Sequence, residues 1–117
     1  MADIIEVKAS TTYQTEKIVY ALLDGGFKAQ RAEIRYNKLK GLYGLEELEE
    51  YPLTITGMLD RMPTVLKVYC VTAGYGGTGP NTMVDILKHA GFYFDQNDIL
   101  TERYCNPDGS INLTYTM

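Results

Sequence analysis

A strand, a helix, the dipeptide Gly-Phe and a further extended stretch follow one another twice in this chain, and that repetition leaves few folds open to it. In the first copy Val19 and Leu22 precede Gly26-Phe27; in the second Val84 and Leu87 precede Gly91-Phe92 at the same spacing. Apolar residues three and four apart mark the buried stripe of a helix. Glycine closes such a helix because it enters the left-handed region without a Cβ penalty. Two βαβ units within 117 residues predict a single domain over 1-117, of the α+β class: a ferredoxin-like two-layer sandwich with a C-terminal β-hairpin.

The remaining elements follow from period and punctuation. Ile4 to Ala9 is β-branched and alternating, a strand. Thr11-x-x-Gln14 has the form of a capping box and opens a helix over 12–24. Phe27 to Tyr36 reads as a strand with Ala32, Ile34 and Tyr36 on one face. The stretch 37–63 is broken by Gly41, Gly44, Pro52, Gly57 and Pro63. Within it Leu45 to Glu50 suggests a turn or two of helix, Leu53 to Ile55 a short strand, and Gly57 to Met62 a helical turn. Val65 to Ala73 is a third strand, and a helix runs from Asn81 to Ala90. Phe92 to Asp95 and Ile99 to Tyr104 read as extended. Asn106-Pro107-Asp108-Gly109 is turn chemistry, so Ile111 to Tyr115 is expected to return as the hairpin partner of the stretch before it.

Charge and composition remove several functions. The formal net charge is −4, whereas a groove for DNA or RNA is usually basic, so nucleic acid is not an expected partner. The one loose basic cluster, Lys28, Arg31, Arg35, Lys38 and Lys40, reads as a solvated strand and turn. No apolar run reaches the length of a membrane span. The first residues lack the basic and apolar blocks of a secretion signal, which makes the cytoplasm the expected location. Cys70, Cys105 and His89 are too few and too scattered for a structural zinc site, so no metal is expected. The cysteines read as small core residues. His89 falls in the last turn of a helix, where a polar or positive group favours the dipole.

Two stretches carry chemistry. Val68 to Ala73 runs into Gly74-Tyr75-Gly76-Gly77-Thr78-Gly79, a G-x-G-x-x-G run between a strand and a helix, with Asp95 about 20 residues on. Glycines let backbone N–H groups approach an anion, and a helix N-terminus adds a favourable field. A full dinucleotide domain needs a second mononucleotide unit, for which the chain is too short. A Walker loop needs Lys-Ser/Thr where Pro80-Asn81 stands. What survives is a smaller site for an anionic or nucleotide ligand. Gly74, Gly76, Gly77, Thr78 and Asn81 are its candidates, with Gln96 in the turn after the next extended stretch. The bland alternative is a surface loop leading to a well-started helix.

The second stretch is Gly41-Leu42-Tyr43-Gly44, followed by Glu46, Glu47, Glu49 and Glu50. Its bland reading is a turn and a solvated acidic helix. From about Ile18 onward the order of elements resembles the small phage-encoded lyases that cleave S-adenosylmethionine. The resemblance rests on the helix before Gly26, the Gly41–Tyr43 segment with Glu47 or Glu50, the strand Val65 to Ala73, the helix before Gly91, Asp95-Gln96-Asn97-Asp98, and the turn through Asp108-Gly109. It implies a ferredoxin-like core, a homotrimer with ligand at subunit interfaces, and no cofactor. The implied reaction gives methylthioadenosine and homoserine lactone, the methionine carboxylate displacing its own sulfonium leaving group. Such catalysis works largely by orientation. Tyr43, Glu47 and Glu50 become the catalytic candidates: a carboxylate for the cationic centre and an aromatic face for the cation or the adenine. Two other functions compete with this one. The first is a non-catalytic binder of a nucleotide-like ligand at the glycine loop, a sensor or a sequestering protein. The second is a small acidic protein-protein inhibitor acting through a tyrosine-rich face.

Overall fold

The computed structural model describes residues 2–41 and 51–117. Five strands and four helices follow in the order β1 (Asp3–Val7), α1 (Thr12–Asp24), β2 (Lys28–Asn37), α2 (Lys38–Gly41), β3 (Leu53–Leu59), β4 (Met62–Val68), α3 (Thr78–Ala90), α4 (Asn97–Leu100) and β5 (Ser110–Thr116). The strands form one sheet in the order β1-β4-β3-β2-β5. β1 runs parallel to β4, and every other neighbouring pair is antiparallel. The class is therefore mixed α+β.

The sequence repeat is a repeated helix ending. Gly26 has φ +114 and Gly91 has φ +95, both left-handed. At the first end Phe27 N–H donates to Leu22 O at 3.0 Å and Gly26 N–H to Leu23 O at 3.2 Å. At the second Phe92 N–H donates to Leu87 O and Gly91 N–H to Lys88 O, each at 3.0 Å. This pair of bonds is the Schellman arrangement, and in both copies the phenylalanine after the glycine is buried in the core. The start of α1 realises half of the expected capping box. Thr11 Oγ1 accepts from the Gln14 backbone N–H at 3.1 Å, while the Gln14 side chain accepts from Ser10 Oγ instead.

Alternation fills the core from one sheet face. Ala32, Ile34 and Tyr36 of β2, Leu53 and Ile55 of β3, and Leu66 and Val68 of β4 are buried, with Val19 of α1 and Met83, Ile86 and Leu87 of α3 packed among them. The helix ends are joined as well. His89 Nε2 lies 2.7 Å from Asp24 Oδ1, and the His89 ring stacks on Tyr20 with centroids 3.9 Å apart. Ile18, one of the apolar helix positions, faces outward.

Four expectations are corrected. The C-terminal β-hairpin does not form. Residues 99–104 are not a strand; Ile99 and Leu100 end the short helix α4, and β5 pairs with β2 instead, Ile34 opposite Leu113 and Tyr36 opposite Ile111. Asp95 causes this locally, since its Oδ1 accepts from Asn97 N–H at 2.9 Å and starts a turn. The helical turn expected over 57–62 is the end of β3, a two-residue turn at Asp60 (φ 51) and Arg61 (φ 67), and the start of β4. Both turn residues are left-handed, the geometry that suits the twist of a tight hairpin. The third strand stops at Val68; Tyr69 N–H still donates to Val7 O at 3.0 Å, and Tyr69–Ala73 are no longer strand. Cys70 and Cys105 are free and half-buried, not core residues.

Strand direction decides where a site can be. β2 and β3 are antiparallel, as are β3 and β4, so β2 points the same way as β4 and β1. The C-terminal ends of all three strands share one edge of the sheet. The connection from β1 to α1, the glycine loop between β4 and α3, and the stretch from α2 to Tyr51 all start from that edge. Ligands of open α/β sheets gather at this kind of edge.

Candidate functional site

The three glycines of G-x-G-x-x-G play three different structural parts. Gly74 has φ +93, and a Cβ there would meet Ile111 Cδ1 at 2.5 Å, so the chain can turn at this point only as glycine. Its N–H donates to Ile99 O at 2.7 Å, tying the loop to α4. Gly79 sits in the first turn of α3 with no room at all: its Cβ would stand 2.0 Å from Thr72 Oγ1. Gly76 is the opposite case, since no heavy atom lies within 4 Å of where its Cβ would be. A tight turn, an open backbone and a close helix contact are the duties that glycines carry in phosphate-binding loops.

The loop ends in a helix N-terminus without a side-chain cap. Gly77 caps α3 and no side chain supplies a capping bond. The first intrahelical bond is Asn81 N–H to Gly77 O at 3.0 Å. Pro80 has no N–H, so Thr78 and Gly79 are the donors that the helix itself cannot satisfy. Asn81 Nδ2 also donates to Gly77 O at 2.7 Å, which fixes the last loop peptide. Asn81 is thus a positioning residue. Thr72 Oγ1 and Tyr75 Oη lie 2.8 Å apart and hold the outer part of the loop against the buried strand extension.

One cation stands beside the loop. The Lys38 side chain passes Gly74, its Cδ 3.9 Å from the position of a Cβ there. Its ammonium pairs with Glu102. That hydrogen bond holds the Lys38 ammonium above its ordinary pKa and the Glu102 carboxyl below its own. Lys38, Glu102, Cys105 and Asn106 line a small cleft of about 250 Å³ next to the loop. Tyr36, two residues before Lys38, is buried, which raises its phenol to about 12, with Tyr75 adding to the shift.

The structure brings Gly74, Gly76, Gly77, Thr78 and Asn81 together in one loop and helix start. It does not bring Gln96 there: the Gln96 amide oxygen accepts from Lys88 Nζ at 3.2 Å, in the last turn of α3. Asp95, the acid expected of a dinucleotide fingerprint, is fully engaged elsewhere. It accepts from the Asn97 backbone N–H and from Arg103, each at 2.9 Å, and these bonds lower its pKa in that order. Tyr43, Glu47 and Glu50 lie outside the described residues. Sequence reasoning missed Lys38, Thr72, Tyr75 and Glu102. Tyr75 stood within the glycine motif and Thr72 two residues before it; Lys38 was hidden in the scattered basic cluster; Glu102 carries no local signal.

Among the described residues no helix is long and apolar enough to cross a membrane. No protein-family model, curated protein or solved structure matches the chain.

Proposed function

We propose that this protein binds a small phosphorylated nucleoside through its glycine loop. The phosphate sits against the N–H groups from Gly76 to Gly79, and Lys38 turns from Glu102 to the bound anion. The carrying observation is the division of labour among Gly74, Gly76 and Gly79. A plain surface turn requires one glycine with positive φ; it has no need for a second that is open to solvent and a third pressed against Thr72. Calorimetry with ADP and with adenosine tests this. Binding of ADP with adenosine weaker by about tenfold or more supports a phosphate on the loop. Equal binding of the two, or none, refutes it.

The catalytic reading, cleavage of S-adenosylmethionine, has one supporting observation. The described residues on either side of the segment that carries Tyr43, Glu47 and Glu50 are α2, whose Lys38 passes Gly74, and Tyr51 ahead of β3. A ferredoxin-like core and a homotrimer belong to this reading. Two helices on one sheet face suit such a core, and the edge position of β1 is the feature it must accommodate. Incubation with S-adenosylmethionine and assay for methylthioadenosine decides between enzyme and binder. If neither nucleotide nor S-adenosylmethionine binds, the inhibitor reading takes their place.

A further inference from the structure

A cleft lies away from the glycine loop, where β1 passes into α1. It has a volume of about 560 Å³ and is lined by Lys8, Ala9, Ser10, Gln14, Lys17 and Ile18. Its wall holds two cations and no carboxylate. Among the described residues neither Lys8 nor Lys17 forms an ion pair, although the chain carries 15 acidic against 11 basic residues. Each is held by aromatic rings instead. Lys8 Nζ lies 5.8 Å from the Tyr51 ring and 5.9 Å from the Tyr69 ring, and Lys17 Nζ lies 5.7 Å from Tyr13. Lys67 Nζ also lies 5.8 Å from the Tyr51 ring. The nearby α1 carboxylate, Glu16, accepts from Tyr20 Oη at 2.7 Å and is turned to that phenol.

We propose that this cleft is a second binding site, for the phosphate group of a small phosphate monoester. Lys8 and Lys17 supply charge from the loop wall and the helix wall, and Ser10, whose hydroxyl donates to Gln14 Oε1 at 3.0 Å, lines the cleft with them. Both cations line the cleft and neither is in an ion pair among the described residues, so a dianion at this point gains two charge-assisted bonds. Cation–π contacts order both side chains before the ligand arrives, which lowers the entropy lost on binding. The α1 N-terminus contributes little, because Thr11 already caps it. The volume exceeds that of a bare phosphate several-fold, and Ala9 with Ile18 offers an apolar wall for the organic part of the ester. This site stands independently of the glycine loop.

The test is a titration of the labelled protein with AMP and with inorganic phosphate, followed by amide chemical shifts. The expected result is saturable shifts from Lys8 to Gln14 and at Lys17 and Ile18, with AMP tighter than inorganic phosphate. Lys8→Gln with Lys17→Gln should weaken these shifts by about tenfold or more and leave the melting temperature unchanged, since both side chains are at the surface. A Gly76→Ala protein should retain them. The proposal is overturned if shifts in this segment fail to saturate by about 10 mM, or if the double lysine variant binds as the wild type does.

Discussion

Replacing Gly79 with alanine tests whether the glycine loop is a built feature or a spacer. In an open helix position the change stabilises by up to about 1 kcal/mol. Here the new methyl would stand 2.0 Å from Thr72 Oγ1 and 3.1 Å from Thr72 Cβ. Relief requires more than an ångström of movement between α3 and the buried strand extension, and overpacking of this kind costs about 1–3 kcal/mol. Movement of Thr72 also breaks its bond to Tyr75 Oη, worth about 1 kcal/mol. The net expectation is a loss of about 2 kcal/mol, or a fall of roughly 8 °C in melting temperature for a chain of this size. Thr72→Ala removes the hydroxyl and leaves only the looser contact. The double variant should then be less destabilised than the sum of the two singles, by about 1 kcal/mol or more. Urea unfolding of the four proteins measures the cycle. A Gly79→Ala protein within about 0.5 kcal/mol of wild type, or strict additivity, would refute the close-contact argument. Gly76→Ala is the control: with nothing near its Cβ, it should fold normally and bind ADP more weakly.

Gly74→Ala combines a left-handed φ with a 2.5 Å approach to Ile111 Cδ1, so thermal melts should show a loss of about 2 kcal/mol or more. The carboxyls of Asp95, Glu102 and Asp108 are all held below their ordinary values, by the Asn97 backbone N–H, by Lys38 and by Ser110 respectively. Their stabilising effect is present above the unfolded values of 3.8 and 4.5 and is lost as pH falls through the lower folded values; side-chain NMR titration should find midpoints below those figures. If the protein is a lyase, Glu47→Gln should cut methylthioadenosine formation strongly at an unchanged melting temperature, and Tyr43→Ala should be more harmful than Tyr43→Phe. Sedimentation at micromolar concentration should show a trimer, and a strict monomer would remove the interface site that the lyase reading requires.

Helix ends and alternating strands were legible because they are local. The Gly-Phe pairs announced both Schellman ends, and Ala32, Ile34 and Tyr36 announced the buried face of β2. The hairpin at Asp60-Arg61 was illegible because neither residue is the glycine or asparagine that usually marks left-handed turns. The partner of β5 was illegible for another reason. Nothing in Ile111 to Tyr115 states whether it pairs with the stretch just before it or with β2, and the choice was made by Asp95 turning 97–100 into a helix. At the glycine loop the motif was visible but the roles were not. The reason Gly79 must be glycine lies in Thr72, and the cation beside the loop comes from a residue 36 positions before Gly74 (74 minus 38).

The shared edge explains why both proposed anion sites can exist on an acidic protein. β1, β4 and β2 all end there, so three connections leave it together, and each brings backbone N–H groups or a lysine to the same side. Several of the described acidic side chains are engaged locally: Glu102 by Lys38, Asp95 and Asp98 by Arg103, Glu16 by Tyr20. Lys8 lies past β1, at one end of the sheet, while Gly74 lies against Lys38 and Ile111, past β2 and at the start of β5. β1 and β2 are three strand spacings apart, about 14 Å, which exceeds the screening length of physiological salt. A phosphate at one site therefore leaves the field at the other nearly unchanged, and sites that far apart with no common partner act independently. Net charge describes the whole surface; what an anion meets at this edge is set by which carboxylates already have partners.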